Sequence, residues 1–327
     1  MAFGPNGDLY VAEGGFGGSQ TTTTADCQQV PSPAGPYSGA FSARISKINR
    51  HGVRSTVVGG LPSSETSPAL GKLVSGVGDV AFIKGTLYAL EAGAGCSHGL
   101  KGTDNLLLRV NHNGSTTQVA DLSKFLKANP IANPDAADFE PDGTWYGMVS
   151  VGRELYAIEP NHQELDRITA NGHTSRVVDF SKSFPGNTDW RGPTAIVRNG
   201  RFLYIGTLTP FPIVVGKAQV LKVDLKTGRF SVFANGLTTV LGLTFGPHDR
   251  LYALESMTTP GFPGPGELGT GQVVQIDPSG KQKVIATKLS FPTAMTLGPD
   301  GALYVSNLGF GGPTNTAGEI VRVSIPR

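Results

Sequence analysis

The sequence predicts an all-β protein: a six-bladed β-propeller of four-stranded antiparallel blades, built as one domain over residues 1–327. Three observations predict it. A Leu-Tyr dipeptide recurs six times along the chain. Each copy stands in the same order of strand, tight turn, strand and loop. The 45 Gly and 23 Pro supply the turns that many short strands require.

The dipeptides are Leu9-Tyr10, Leu87-Tyr88, Leu155-Tyr156, Leu203-Tyr204, Leu251-Tyr252 and Leu303-Tyr304, spaced by 78, 68, 48, 48 and 52 residues. A unit of about 50 residues with variable insertions accounts for every interval, and such a period marks a repeat architecture. Each unit opens with an apolar strand such as "GDVAFI", "PTAIV" or "TAMTLG". A tight turn follows ("GPNGD", "KG", "RNG", "GPHD", "GPDG"), in which Asn-Gly and Asp-Gly steps give the positive φ of a short hairpin. The Leu-Tyr strand comes next, then a loop of uneven length. A third strand follows: "ARISKIN", "NLLLRVN", "ELDRIT", "QVLKVD", "QVVQID" or "EIVRVS". A second turn leads to a fourth strand such as "STVV", "SRVV" or "FSVFA". Four antiparallel strands repeated six times define the propeller. The sixth unit ends at "EIVRVSIPR", so the last blade is expected to lack its outer strand. The reading favours a native chain that starts upstream of Met1, which would also account for the lack of a visible signal peptide; the alternative is a three-stranded last blade.

Composition narrows the partners. A net charge of +2 gives no basic stripe, so nucleic acid is not expected. No apolar run approaches the roughly 20 residues of a membrane span. Low charge and Gly/Pro-rich loops suit an extracellular or periplasmic protein. Cys27 and Cys96 lie in the loops that follow the Leu-Tyr strands of blades one and two; they either form a disulfide stapling those loops or remain unrelated thiols.

The long connections share one end of the blades. They are 14–42, 92–105 and 256–271 between second and third strands, and 59–77, 121–144 and 181–192 between blades. The other end carries only tight turns. Long loops on a rigid scaffold usually carry function, so this loop end is the expected working surface, for a small molecule, a glycan or a protein.

Three residues beyond each Tyr stand Glu13, Glu91, Glu159, Thr207, Glu255 and Asn307. Glu13, Glu91, Glu159, Glu255 and Asn307 are candidate oxygen ligands for a cation such as Ca²⁺. The competing expectation is structural: a carboxylate at a strand end accepts backbone N–H groups that lack a ladder partner. A role that recurs in every blade favours the structural reading. Trp145, Tyr146, Asp189, Trp190 and Arg191 fall where blades three and four begin and are candidate ligand contacts; packing between blades is the alternative. Asn161 is a further candidate contact. His162, in "EPNHQELDR", is a weak candidate general base or metal ligand set against a loop-stabilising role. His98 is weaker still, and His51, His112, His173 and His248 lie in or near turns. No Gly-x-Ser-x-Gly elbow, His-Glu-x-x-His helix, Walker loop or dinucleotide fingerprint is present. "GGFGG" is a glycine loop with no helix after it, which argues against a phosphate site.

"AFGPNGDLYVAEGG", "EPNHQELDRI", "LYIGTLTPFPIVVGKAQVLKVD" and "GLTFGPHDRLYALE" resemble the ScyD/ScyE family of β-propellers over nearly the whole chain. The resemblance implies an exported propeller with no settled biochemical activity and no catalytic residues to transfer; a link to secondary-metabolite biosynthesis is an expectation that family likeness alone does not carry. The blades are more distantly similar to NHL repeats and to gluconolactonase-like and strictosidine-synthase-like propellers. Three functions follow as expectations. One is a binding propeller. The second is a metal-assisted hydrolase or lactonase using the slot residues. The third is a metal-independent enzyme using His162 or a carboxylate.

Overall fold

The computed structural model describes residues 1–183, 192–210, 212–260, 267–309 and 318–325. Its strands form six antiparallel sheets, the blades of a six-bladed β-propeller, and the last blade has three strands among the described residues. The chain packs as two compact units, Met1–Thr188 with blades one to three and Asp189–Arg327 with blades four to six.

The Leu-Tyr strands are Leu9–Glu13, Thr86–Glu91, Glu154–Glu159, Phe202–Leu208, Leu251–Glu255 and Leu303–Asn307, each second in its blade. Alternation explains the motif. Leu87 and Ala89 join a core with Ala43, Ile45 and Val58 of blade one, whereas Tyr88 and Leu90 face Met148, Leu155 and Ala157 of blade three. In the second unit Leu251 and Ala253 pack on blade four, and Tyr252 and Leu254 pack on blade six. Within each unit the Leu face thus turns to the preceding blade and the Tyr face to the following one. Period-two alternation needs this when both faces are buried. Truncating one of these buried leucines to alanine costs about 2–5 kcal/mol. The slot residue, four places after Leu, shares the Leu face.

The third strand places a cation opposite the Tyr in five blades: Lys47, Arg109, Arg167, Lys222 and Arg322, with Gln275 in blade five. The pairing puts positive charge in the turn half of those five blades.

Two features depart from the expected pattern. Blade one gains a short fifth strand, Val74–Ser75, paired to the end of a long fourth strand, Arg54–Glu65. The 121–144 connection opens with a helix, Leu122–Ala128, whose N-cap Asp121 accepts the Lys124 N–H at 2.9 Å. Leu122 and Leu126, one turn apart, bury its inner face against Trp145.

Candidate functional site

At the loop end, the slot residues are taken up by the scaffold. Glu159 is fully buried; its Oε1 accepts the Thr144 N–H at 2.6 Å and its Oε2 the His162 N–H at 2.5 Å. Glu255 accepts the Thr238 N–H (2.6 Å) and Gln272 Nε2–H (2.6 Å). Asn307 accepts the Ser290 N–H at 2.7 Å and donates to Glu319 at 2.8 Å. Thr144, Thr238 and Ser290 all lie on the connection arriving from the preceding blade. The slot residue therefore ties that incoming chain to its own blade, meeting donors that no ladder reaches. Thr207 exchanges two bonds with the Gln219 backbone (3.0 and 3.3 Å). Glu13 is half-buried and binds Arg44 at 2.7 Å and Arg54 at 3.0 Å. Glu91 is 3% exposed, and burial pushes its carboxyl up to about 8 against the opposing pull of the Leu106 amide. Burial likewise raises Glu159 and Glu255. Among the described residues, no group of three or more His, Cys, Asp or Glu side chains is placed to share a metal ion.

The first unit adds a second layer of buried polar groups. Cys27 and Cys96 form a disulfide. Beside it, His98 is fully buried: Ser64 Oγ lies 2.8 Å from Nδ1 and Glu140 Oε2 lies 3.3 Å from Nε2. Tyr37 donates its hydroxyl to Glu140 Oε1 at 2.5 Å and packs edge-on to the imidazole. Serine, histidine and carboxylate are the set that activates a nucleophile, but Ser64 has no exposed surface. The set works as a clamp joining the fourth strand of blade one, the turn Cys96–His98 and the connection into blade three. Asp142 is a neighbouring hub that accepts the Ser97 N–H and Oγ–H (2.7 Å each) and Lys127 Nζ–H (2.5 Å). Those bonds hold its carboxyl low although burial opposes them.

His162 donates from Nε2 to the Glu140 carbonyl at 2.8 Å, which leaves Nδ1 without a partner inside the protein. Its ring packs on Phe139. Asn161 donates to the Asp138 carbonyl at 3.1 Å. Trp145 is fully buried in the core between blades two and three, and Tyr146 is half-buried, its hydroxyl raised by burial. Asp189, Trp190 and Arg191 lie outside the described residues.

Sequence reasoning missed Glu164 and Asp166. Both are fully buried on one face of the strand Glu164–Thr169, opposite Glu159 and Ala157. Arg176 binds Glu164 Oε2, and the carboxyls of Glu164 and Asp166 face each other closely enough to share a proton. Burial pushes Asp166 up to about 7 and raises Glu164 well above the carboxylate range. The alternation in "ELDRIT" was the available signal: it sets two acids on the face that carries Ile168. Tyr37, Ser64 and Glu140 left no local signal, because their partners lie in other blades.

The exposed chemistry at this end is aromatic. Phe16 is 79% exposed and Phe41 51%. The "GGFGG" loop lies flat on the third strand of blade one. A Cβ on Gly15 (φ +84°) would stand 2.6 Å from Ser42 Oγ and 2.7 Å from the Ala43 nitrogen, so only glycine fits. Ser42 Oγ accepts the Phe16 N–H and Ser63 Oγ accepts the Gly17 N–H, both at 3.0 Å. A fixed loop thus carries an outward-pointing ring. In the second unit a cavity of about 210 Å³ lies over Glu255, Gln272 and Thr258, walled by Val215, Leu237, Val274 and Val284.

The fold defines a class, the six-bladed β-propellers. No protein-family model matches the sequence, and no curated protein matches it. A chain of the nidogen/laminin complex superimposes with a TM-score of 0.52 at 14% identity, covering 83% of this chain and 84% of that one. A gluconolactonase from Xanthomonas campestris gives 0.50 at 11% identity, over 81% and 75%. The PQQ-bound aldose sugar dehydrogenase of Streptomyces coelicolor gives 0.47 at 14%, over 77% and 84%. At these identities the likeness is one of fold.

Proposed function

We propose that this protein is a non-catalytic binding propeller that holds its partner at the loop end of its first unit. The observation that carries this reading is the presentation of Phe16 and Phe41. A glycine-packed loop, fixed by Ser42 and Ser63, displays Phe16, and the third strand beneath it displays Phe41; the long connection that carries this loop is stapled through Cys27–Cys96. Rings on a rigid support bind with little loss of conformational freedom. The acid/base candidates of the same end, Glu159, His162 and His98, are buried and bonded within the scaffold. The nidogen/laminin neighbour is a propeller found in a protein complex, which fits a binding role. The resemblance to ScyD/ScyE propellers supports a link to secondary metabolism, and the disulfide supports an extracellular or periplasmic location.

A hydrolase reading draws on one observation. Glu91, raised to about 8, is protonated at neutral pH as a general acid should be. On that reading Glu13, Glu159, Glu255 and Asn307 would supply oxygens to Ca²⁺ with Glu91 kept as the acid, or Glu91 would join them as an ionised ligand, and the gluconolactonase neighbour fits it. Fluorine NMR on fluorophenylalanine-labelled protein, titrated with a fragment library and a glycan panel, tests the binding reading. Ligands that bind are expected to shift the Phe16 and Phe41 resonances, assigned by Phe→Leu variants. Ligands that bind and leave both unmoved overturn it.

A further inference from the structure

The turn end of the second unit concentrates positive charge. Blade four brings Arg198, Arg201, Lys222, Lys226 and Arg229 to its hairpin turns and the strand ends beside them, against a single carboxylate, Asp224. Asp224 is taken up by Arg201 at 3.1 Å. Phe202 lies beneath two of the cations, with the Arg201 guanidinium 4.9 Å and the Lys222 ammonium 4.1 Å from its centroid. The ring positions these side chains without cancelling their charge, as a carboxylate would. Arg198, Lys226 and Arg229 are exposed.

Blade five continues the surface. Asn199 donates to Asp249 at 3.2 Å across the two sets of turns. Beyond it Arg250, Lys281 and Lys283 stand against Asp249 and Asp277. At the loop end of the same unit the balance reverses: among the described residues, Lys217 and Lys288 stand against Glu255, Glu267 and Glu319. A net positive charge spread over neighbouring turns of two blades fits an extended polymer better than a small anion.

We propose that the turn end of blades four and five docks an acidic polysaccharide, a chain bearing carboxylate or sulfate groups. Two observations select this polyanion over nucleic acid. The disulfide belongs to an oxidising compartment, away from the cytosol and nucleus that hold the cell's nucleic acid. The exposed large hydrophobics of this unit are valines and a leucine among the described residues, so no free ring offers a stacking platform for unpaired bases. The surface is independent of the loop-end reading, since it lies in the other unit and uses none of its residues.

The test measures binding of the full chain to dextran sulfate and polygalacturonate at rising salt, with uncharged dextran as reference. Binding is expected to weaken steeply with salt, and Arg198→Glu/Lys226→Glu/Arg229→Glu to lower affinity by about tenfold or more, as loss of several counter-ion-releasing contacts requires. Lys217→Glu, an exposed loop-end change, is expected to leave affinity within about twofold, the range of an exposed change outside the contact surface. If the triple variant fails to fold, Lys226→Glu alone carries the test through a smaller loss and a shallower salt slope. Equal binding by the triple variant, equal loss in Lys217→Glu, or equal binding to uncharged dextran overturns the proposal. Tighter binding to duplex DNA or to phosphatidylserine vesicles than to either polysaccharide also overturns it.

Discussion

The two units share one blade design but fill it differently. Among the described residues, the first unit buries seven carboxyl groups (Glu91, Asp135, Glu140, Asp142, Glu159, Glu164 and Asp166), whereas the second buries only Glu255. Both buried histidines, His98 and His162, also belong to the first. The second unit shows that the repeat itself does not require such groups. Thr207 and Asn307 fill their slots with neutral side chains that hydrogen-bond the adjoining chain. Buried carboxyls cost desolvation energy unless they are bonded or protonated. In the first unit Glu140, Asp142 and Glu159 use their oxygens to hold long loops that have no ladder of their own.

The largest expected effect comes from the staple that the second unit lacks among its described residues. Cys27→Ser/Cys96→Ser opens a 69-residue separation and is expected to lower stability by about 4 kcal/mol in denaturant unfolding. A loss below about 1 kcal/mol would show that the Tyr37–Glu140–His98–Ser64 clamp holds the loops alone.

The slot carboxylates come next. Glu159→Ala strands the Thr144 and His162 amides in a buried site and is expected to cost about 2–4 kcal/mol. Glu13→Ala removes only half-exposed pairs with Arg44 and Arg54 and is expected to cost at most about 1 kcal/mol. Equal costs in chemical denaturation would break the distinction between a buried brace and a surface pair.

A separate effect appears with pH. The folded Asp166 carboxyl lies at about 7 and Glu91 at about 8, both above their ordinary values of 3.8 and 4.5. Groups raised on folding contribute stability that is full below the ordinary value and lost as pH rises to the folded one. The melting temperature is therefore expected to climb as pH falls from about 8 towards 4.5, and Asp166→Asn to flatten that climb. Asp142, shifted the other way, acts below 3.8 and does not oppose the trend in this window. A variant as pH-dependent as the parent would show that Asp166 does not carry the proton.

The blades were legible because Leu-Tyr packing repeats at a fixed spacing, and a repeated contact leaves a repeated signature. The slot was legible for the same reason, including the possibility that its carboxylates serve the backbone. The Tyr37–Glu140–His98–Ser64 clamp was not legible, since it joins residues as far apart as 37 and 140 that no local period relates. The displayed Phe16 was hidden because "GGFGG" reads as a flexible loop until Ser42 and Ser63 are seen beneath it. The basic turn end was hidden by an overall charge of only +2, which averages over carboxylates buried elsewhere.

Whether the slot residues brace the blades or hold a cation is tested most directly by thermal unfolding with EDTA and then with Ca²⁺ restored, since an ion bound to the native state raises its stability. Bracing predicts one melting temperature under both conditions and no metal by elemental analysis. A midpoint that rises with Ca²⁺ and falls with EDTA, and that Glu159→Gln makes insensitive to both, would contradict it.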